Sequence, residues 1–244
     1  MKPDTAQKIL SEVKESYDSI ASDFNQTRNY LWPGLKDFKK FTVEGSKILD
    51  LGCGNGKLRL LFKEKNVFYT GVDSSSELLN IAENRKDFKL PYQKFLKAEA
   101  FSLPFENDSF DIVFFIAVFH HIPGIELRLK TLKEIRRVLN PGGILVMTNW
   151  NRYQAKGQQL KYIIKYALLK IFQRSNLDFK DIYLPWMKGK AYRYYHAFTL
   201  GELKKIVRNS GLMLEDNYLA EWSGKKSGRL SYLKSANLVT IAKK

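Results

Sequence analysis

Asp50-Leu51-Gly52-Cys53-Gly54-Asn55-Gly56 gathers much of the chain's chemical potential into seven residues. Glycines let a backbone turn sharply and approach a ligand closely, and a helix opening behind such a loop offers it unpaired N–H groups. A nucleotide-like ligand is expected. The spacing excludes two common kinds, because a dinucleotide fingerprint reads G-x-G-x-x-G and a phosphate-binding loop ends in Gly-Lys-Ser/Thr. Asp73 ends the next apolar run, where two carboxylate oxygens would match two adjacent hydroxyl donors. His120-His121 close a later run, and imidazole titrates near neutral pH. Arg193-Tyr194-Tyr195-His196 sets charge beside ring faces, as where a base stacks and a phosphate is held, although alternate positions of a buried strand look similar. Cys53 reads as a small residue in a tight turn, and no Cys/His spacing matches a zinc site.

These residues need a frame. From Ser46 to Trp150 the β-rich runs KILDL, VFYTGVD, FLKAEA, FDIVFFIAV and GILVMTNW alternate with helical stretches at about 57–65, 75–85 and 126–139. Strands separated by helices imply right-handed crossovers and a parallel sheet covered on both faces. The expected fold is α/β, a doubly wound, Rossmann-like, mostly parallel sheet of seven strands. Ser74 with Glu77, and Thr199 with Glu202, have capping-box spacing. Residues 5–41 read as helical with a break at Trp32-Pro33, a cap over the open sheet edge. The expected organisation is one domain over 1–244: the cap over 1–45, a ligand-binding core over 46–150, a basic helical insertion over 151–195, and a terminal helix with two strands over 196–244. In the insertion, Leu160, Ile163, Ile164, Ala167, Leu168, Ile171 and Phe172 form one apolar helical face. That helix either packs on the sheet, closes as a lid, or rests on anionic lipid.

The 244 residues and 44% apolar composition exclude a fibre, a disordered tail and a disulfide scaffold. The lone Cys53 cannot form an internal bridge and MKPDTAQKIL is no signal peptide, so a cytoplasmic location is expected. The longest apolar run, Ile112 to Phe119, is far short of the roughly 20 residues that span a bilayer. Charge is uneven: residues 1–150 hold 22 Lys+Arg against 19 Asp+Glu, whereas 151–244 hold 19 against 6, so the net +16 lies mostly in the second part. Such an excess attracts polyanions, nucleic acid first and an anionic membrane surface second.

The D-x-G-x-G-x-G loop resembles the first motif of class I S-adenosylmethionine-dependent methyltransferases. Asp73, Glu99-Ala100 with Leu103-Pro104-Phe105, Ala117-Val118-Phe119-His120-His121 and Pro141-Gly142-Gly143 follow at that family's spacings. Tyr17-Asp18-x-Ile20-Ala21, Phe24, Thr27-Arg28, Trp32-Pro33, Arg128, Trp150 with Gln154, and Arg193 to His196 are similar to the tRNA wobble-uridine carboxymethyl methyltransferases. The pattern V-W-A-x-x-Q of that group stands here as Asn149-Trp150-Asn151-Arg152-Tyr153-Gln154. The resemblance implies transfer of a methyl group from S-adenosylmethionine to the carboxylate of 5-carboxymethyluridine in tRNA. It also leaves room for a small activating protein subunit.

The resemblance further implies a cofactor set of Tyr17, Arg28, Asp50, Gly52, Gly54, Asn55, Asp73, Ser74, Glu99, Ala100 and Ala117, with no metal. Its catalytic set is His120, His121, Arg28, Arg193 and His196. A carboxylate nucleophile needs no general base, so Arg28, Arg193 or His196 would orient it and the two histidines would shape the pocket. If the acceptor were a hydroxyl or amine, His121 would take the proton. Two alternatives stand beside this: a small-molecule or lipid-like acceptor, and a silent cofactor-fold partner protein.

Overall fold

Five of the apolar runs become strands: β1 (Lys47–Leu51), β2 (Phe68–Asp73), β3 (Tyr92–Lys97), β4 (Phe110–Ile116) and β5 (Leu139–Trp150). The structure is a computed structural model that describes every residue except 29, 87, 155–158, 187, 188, 190, 229 and 230. β1 and β4 are apolar on both faces because both faces are covered, as expected of central parallel strands. Leu49, Leu51, Val113 and Phe115 enter one core with Leu132, Ile135 and Phe198. Ile48, Ile112 and Phe114 enter the other with Leu61, Phe62 and Phe38.

The sheet order is β3-β2-β1-β4-β5-β10-β8-β9, with β8 at Met213–Ala220, β9 at Lys226–Ser227 and β10 at Asn237–Lys243. The sheet has eight strands where seven are expected, the difference being the two-residue β9 that pairs with the end of β8. β1 to β5 run parallel, and β10 is antiparallel to both β5 and β8. Strand order reverses between β1 and β4, which opens a crevice at their carboxyl ends.

Several local expectations shift. The stretch after the glycine loop is a short 3-10 helix, Lys57–Phe62, in place of an α-helix over 57–65. Its i, i+3 pair Leu58 and Leu61 eclipses on one side and enters the core. The helix α3 (Ser76–Asn84) is capped by Ser75, whose hydroxyl accepts from Leu78 N, and not by Ser74. Thr199 does cap α6 (Leu200–Asn209), accepting from Glu202 N. Helix α4 spans Ile125–Val138.

The amino-terminal helices, α1 (Pro3–Ser19) and α2 (Ala21–Thr27), do not lie over the open sheet edge. α1 packs on α3 and on a strand of the insertion. Besides α5 (Gln159–Ile171), that insertion holds an antiparallel pair, β6 (Asp181–Trp186) and β7 (Ala191–His196), so it is not purely helical. Ile9 of α1 meets Leu177 and Tyr194, and Tyr183 donates to Glu12, tying the first helix to the insertion.

Candidate active site

A cavity of about 560 Å³ fills the crevice beyond β1 and β4. Its walls include Tyr17, Arg28, Asp50, Gly52, Gly54, Asn55, Asp73, Ser74, Glu99, Ala100, Ala117 and His121, residues that the family resemblance implies for the site. His120, Arg193 and His196 are not among its lining residues.

At one end the glycine loop bends over the strands. Gly52 N and Cys53 N both donate to Val72 O, at 2.7 and 2.9 Å. Gly52 has φ +71°, and a Cβ there would stand 2.3 Å from Val118 Cγ2, so the loop after β1 and the loop after β4 touch only because this residue has no side chain. Asp73 anchors the turn by accepting from Gly54 N at 2.8 Å and Ser75 N at 2.9 Å. Each carboxylate oxygen keeps lone-pair capacity toward the cavity. Burial pushes Asp73 above the usual carboxylate range, and the Ser75 and Gly54 amides oppose that rise.

Asp50 is deeper. Burial pushes its carboxyl up to about 7, against the hydrogen bond it accepts from Tyr69. Ala117 adopts φ +58°, a conformation costly for a residue with a side chain and held here by its N–H bond to Thr148 O. Asn55 donates to Asn25 and to the Arg28 carbonyl, while its own side-chain oxygen is buried without a protein partner.

The other end is built from distant segments. His121 Nδ1 lies 2.7 Å from Tyr194 O, a carbonyl that can only accept, so this nitrogen carries the proton. Nε2 therefore accepts from the Tyr17 hydroxyl at 2.8 Å. Tyr17 oxygen in turn lies 3.5 Å from Arg193 Nη1. The result is a directed chain, Arg193 to Tyr17 to His121 to the β7 backbone. Burial holds His121 down at about 3, with the Arg193 cation adding to the effect, so the ring is neutral at physiological pH. Burial pushes Tyr17 up to about 12, so its hydroxyl keeps its proton.

Nothing in the local sequence marks Arg152 as a site residue. It lies 3.8 Å over the Tyr195 ring and 4.6 Å over Trp150, lines the cavity, and is 5% exposed. Nη1 donates to Gln159 and the Tyr195 hydroxyl stands near, but among the described residues Nε and Nη2 have no other partner. Arg193 lies 5.5 Å from the same Tyr195 ring, with its Nε also unpartnered. Among the described residues no carboxylate pairs with either guanidinium. Burial, with the neighbouring Arg193 adding, pushes Arg152 below its ordinary value. Two buried like charges with no carboxylate partner among the described residues leave this end strongly electropositive.

His120 and His196 sit elsewhere. His120 is fully buried behind this wall, stacked on Tyr195 with Nδ1 3.2 Å from Asn149 Oδ1. His196 has both nitrogens taken, by Asp181 at 2.6 Å and Glu202 at 2.7 Å. With Arg128 on Asp181 and Lys180 on Glu202, it ties β6 and β7 to α4 and α6. Burial works against ionisation of Glu202, but His196 and Lys180 outweigh it and hold the carboxyl at about 2.

Residues 49–147 match the family model described as a methyltransferase domain. The chain carries a methyltransferase domain over these residues. It is 28% identical to the tRNA (carboxymethyluridine(34)-5-O)-methyltransferase of Schizosaccharomyces pombe over 84% of this chain and 91% of that protein. It is 36% identical to the mouse tRNA (carboxymethyluridine(34)-5-O)-methyltransferase ALKBH8 over 62% of this chain but 22% of that protein. The methyltransferase thus spans nearly all of the fission-yeast relative and only a fraction of the mouse one.

Among solved structures it resembles an S-adenosylmethionine-dependent methyltransferase from Methanosarcina mazei, with TM-score 0.69 and 24% identity over 85% of this chain and 96% of that one. It also resembles a methyltransferase in complex with the Trm112 methyltransferase activator from Haloferax volcanii, with TM-score 0.65 and 19% identity over 95% and 96%. At the glycine-loop end, the methyltransferase offers spare carboxylate lone pairs, the unpartnered Asn55 oxygen and a cavity within the usual size range for a cofactor. These features fit S-adenosylmethionine.

Proposed function

We propose that this methyltransferase forms the methyl ester of a 5-carboxymethyl-modified wobble uridine in tRNA. The observation that carries the reading is the Arg152 and Arg193 pair, buried, unpaired with any carboxylate among the described residues and faced by aromatic rings. An anionic group on a nucleobase satisfies both the charge and the stacking surface. Bound S-adenosylmethionine supplies a methyl group activated by sulfonium charge. An acceptor carboxylate oriented by Arg152 would take that methyl group, the electron pair of the carbon–sulfur bond remaining with the thioether product. No proton moves. The protein's task is to align the groups and exclude water.

Roles follow from position. Asp73 holds the ribose hydroxyls, Gly52, Gly54, Asn55 and Ser74 line the turn beside them, and Glu99 with Ala100 faces the adenine end. Asp50, Ala117 and Arg28 line the cavity where the methionine part would lie, and Arg28 would hold its carboxylate. Arg152 orients the acceptor, Arg193 adds its charge from behind the cavity wall, and Tyr17 with His121 positions Arg193. His121 has no free nitrogen to act as a base, because Nδ1 donates to Tyr194 O and Nε2 accepts from Tyr17. The net positive charge of the stretch 175–244, beyond α5, attracts the rest of the tRNA.

An activating subunit of the kind bound by the Haloferax volcanii relative, and a cytoplasmic location, complete the proposal. No described helix is long and apolar enough to cross a membrane. The test is transfer from labelled S-adenosylmethionine to tRNA carrying 5-carboxymethyluridine, with nucleosides identified by mass spectrometry. The expected product is the methyl ester, formed on this tRNA and not on the same tRNA with unmodified uridine; label appearing on unmodified tRNA would overturn the proposal.

A further inference from the structure

No residue of helix α5 is fully buried. Its inner side rests on the β6–β7 pair through Tyr162, Ile163 and Tyr166, against Ile182, Leu184 and Tyr195. Its outer side carries Leu160, Ile164, Leu168 and Ile171, continued by Phe172 just past the helix end, each 48 to 68% exposed. Their spacings of four, four, three and one place all five on a single stripe. Scattered exposed aliphatic side chains are ordinary, whereas a contiguous apolar stripe on a helix marks a contact surface. At 100° per residue, Lys161 and Lys165 fall beside Leu168 on one side of the stripe, whereas Lys170 falls near Ile163 on the side that meets the hairpin. Residues 152–177 hold six Lys/Arg and no Asp/Glu.

We propose that α5 docks on the surface of an anionic lipid bilayer, with the stripe seated at the boundary of headgroups and acyl chains and the flanking Lys161 and Lys165 on lipid phosphates. The charge and shape of the helix select this occupant. RNA would neutralise the lysines but leave five large apolar side chains against a polar backbone. A protein partner would need an apolar groove with acidic lips, whereas a bilayer accepts a convex helix without a preformed groove. Thirteen residues are too few to span the membrane and enough to lie in its plane. Gln159, the first residue of α5, accepts from Arg152 and lines the cavity, so the docked surface borders the site. The inference does not depend on the identity of the methyl acceptor.

The test is co-sedimentation of the full chain with phosphatidylcholine vesicles, with and without phosphatidylglycerol. Partitioning is expected to be at least about tenfold stronger on the phosphatidylglycerol vesicles. Replacing Ile164, Leu168 and Phe172 together by Ser is expected to lower it by about tenfold or more, with S-adenosylmethionine affinity and circular dichroism unchanged. Lys161→Glu with Lys165→Glu, which leaves the stripe intact, is expected to lower it as well. Absence of binding to phosphatidylglycerol vesicles would overturn the proposal, as would equal binding by the triple-Ser variant, which would reduce the contact to charge alone. A dimer in solution that the triple-Ser variant dissolves would also overturn it, assigning the stripe to a second copy of this chain.

Discussion

At the glycine-loop end of the cavity, the polar geometry is made by backbone amides and one anchoring carboxylate, all between Asp50 and Ala117. At the arginine end, Tyr17, His121, Arg152 and Arg193 arrive from four separate segments and are held by side-chain stacking and a directed hydrogen-bond chain. The methyltransferase-domain match ends at residue 147, so it contains the first end and, of the second, only His121. On the proposed function the two ends divide cofactor binding from the choice of acceptor, and mutations can address them independently.

The largest effect is expected at the glycine-loop end. Asp73→Ala removes the acceptor of Gly54 N and Ser75 N together with the ribose contacts proposed for it. Hydrogen bonds to an ionised group are worth about 1.5–3 kcal/mol each, so S-adenosylmethionine affinity should fall by roughly a hundredfold or more. Calorimetric titration of the folded variant checks this, and unchanged affinity would remove Asp73 from the cofactor site.

At the arginine end, Arg152→Met is expected to lower kcat/KM for the tRNA acceptor by about 10- to 100-fold and leave S-adenosylmethionine affinity unchanged. Parallel steady-state and titration measurements read the two separately. If both fall together, the ends are not independent and the comparison fails.

Asp50 sharpens the comparison through stability. Its carboxyl titrates near 3.8 when unfolded and near 7 when folded, so the folded state binds the proton more tightly. The resulting stabilisation is complete below about pH 4 and is lost as pH rises through about 7. Asp50→Asn should therefore melt higher than wild type at pH 8, by on the order of 2 kcal/mol, with the gain vanishing toward pH 4. Thermal denaturation across that range is the measurement, and a pH-independent difference would contradict the buried carboxyl's role.

A smaller effect is expected from Tyr17→Phe, which interrupts the chain from Arg193 to His121 without emptying the site. Acceptor KM should rise about three- to tenfold, consistent with loss of one ordinary hydrogen bond of about 1 kcal/mol. Single-turnover rates at saturating acceptor should change less.

The contrast between the ends also explains what the sequence could reveal. The glycine loop, Asp73 and the five parallel strands are legible because local turn chemistry and continuous apolar runs specify them. Ser75 displaced Ser74 as the cap by one position, within the tolerance of a pattern that two adjacent serines satisfy equally. Arg152 was illegible because an isolated arginine joins an electropositive end of the cavity only when Trp150, Tyr195 and Arg193 fold around it. His196 looked like site chemistry for the opposite reason: its carboxylate partners, Asp181 and Glu202, are ordinary in sequence and decisive in space. The stripe of α5 was readable as amphipathic, but its periodicity could not say that Tyr162, Ile163 and Tyr166 would turn to the hairpin and leave the rest outside.

The central claim is that the arginine end binds an ionised carboxylate and that His121 moves no proton. Its most direct test is the single-turnover rate of methyl transfer to tRNA carrying 5-carboxymethyluridine, measured from about pH 6 to 9 for wild type and His121→Asn. An unperturbed carboxyl titrates near pH 4 and His121 titrates near 3, so neither changes charge in that window. A nearly flat profile is expected for both proteins, with the variant displaced downward by a constant factor. A rate that rises through a neutral-range pKa in wild type, and loses that pKa in His121→Asn, would contradict the account and make His121 the base for a hydroxyl or amine acceptor.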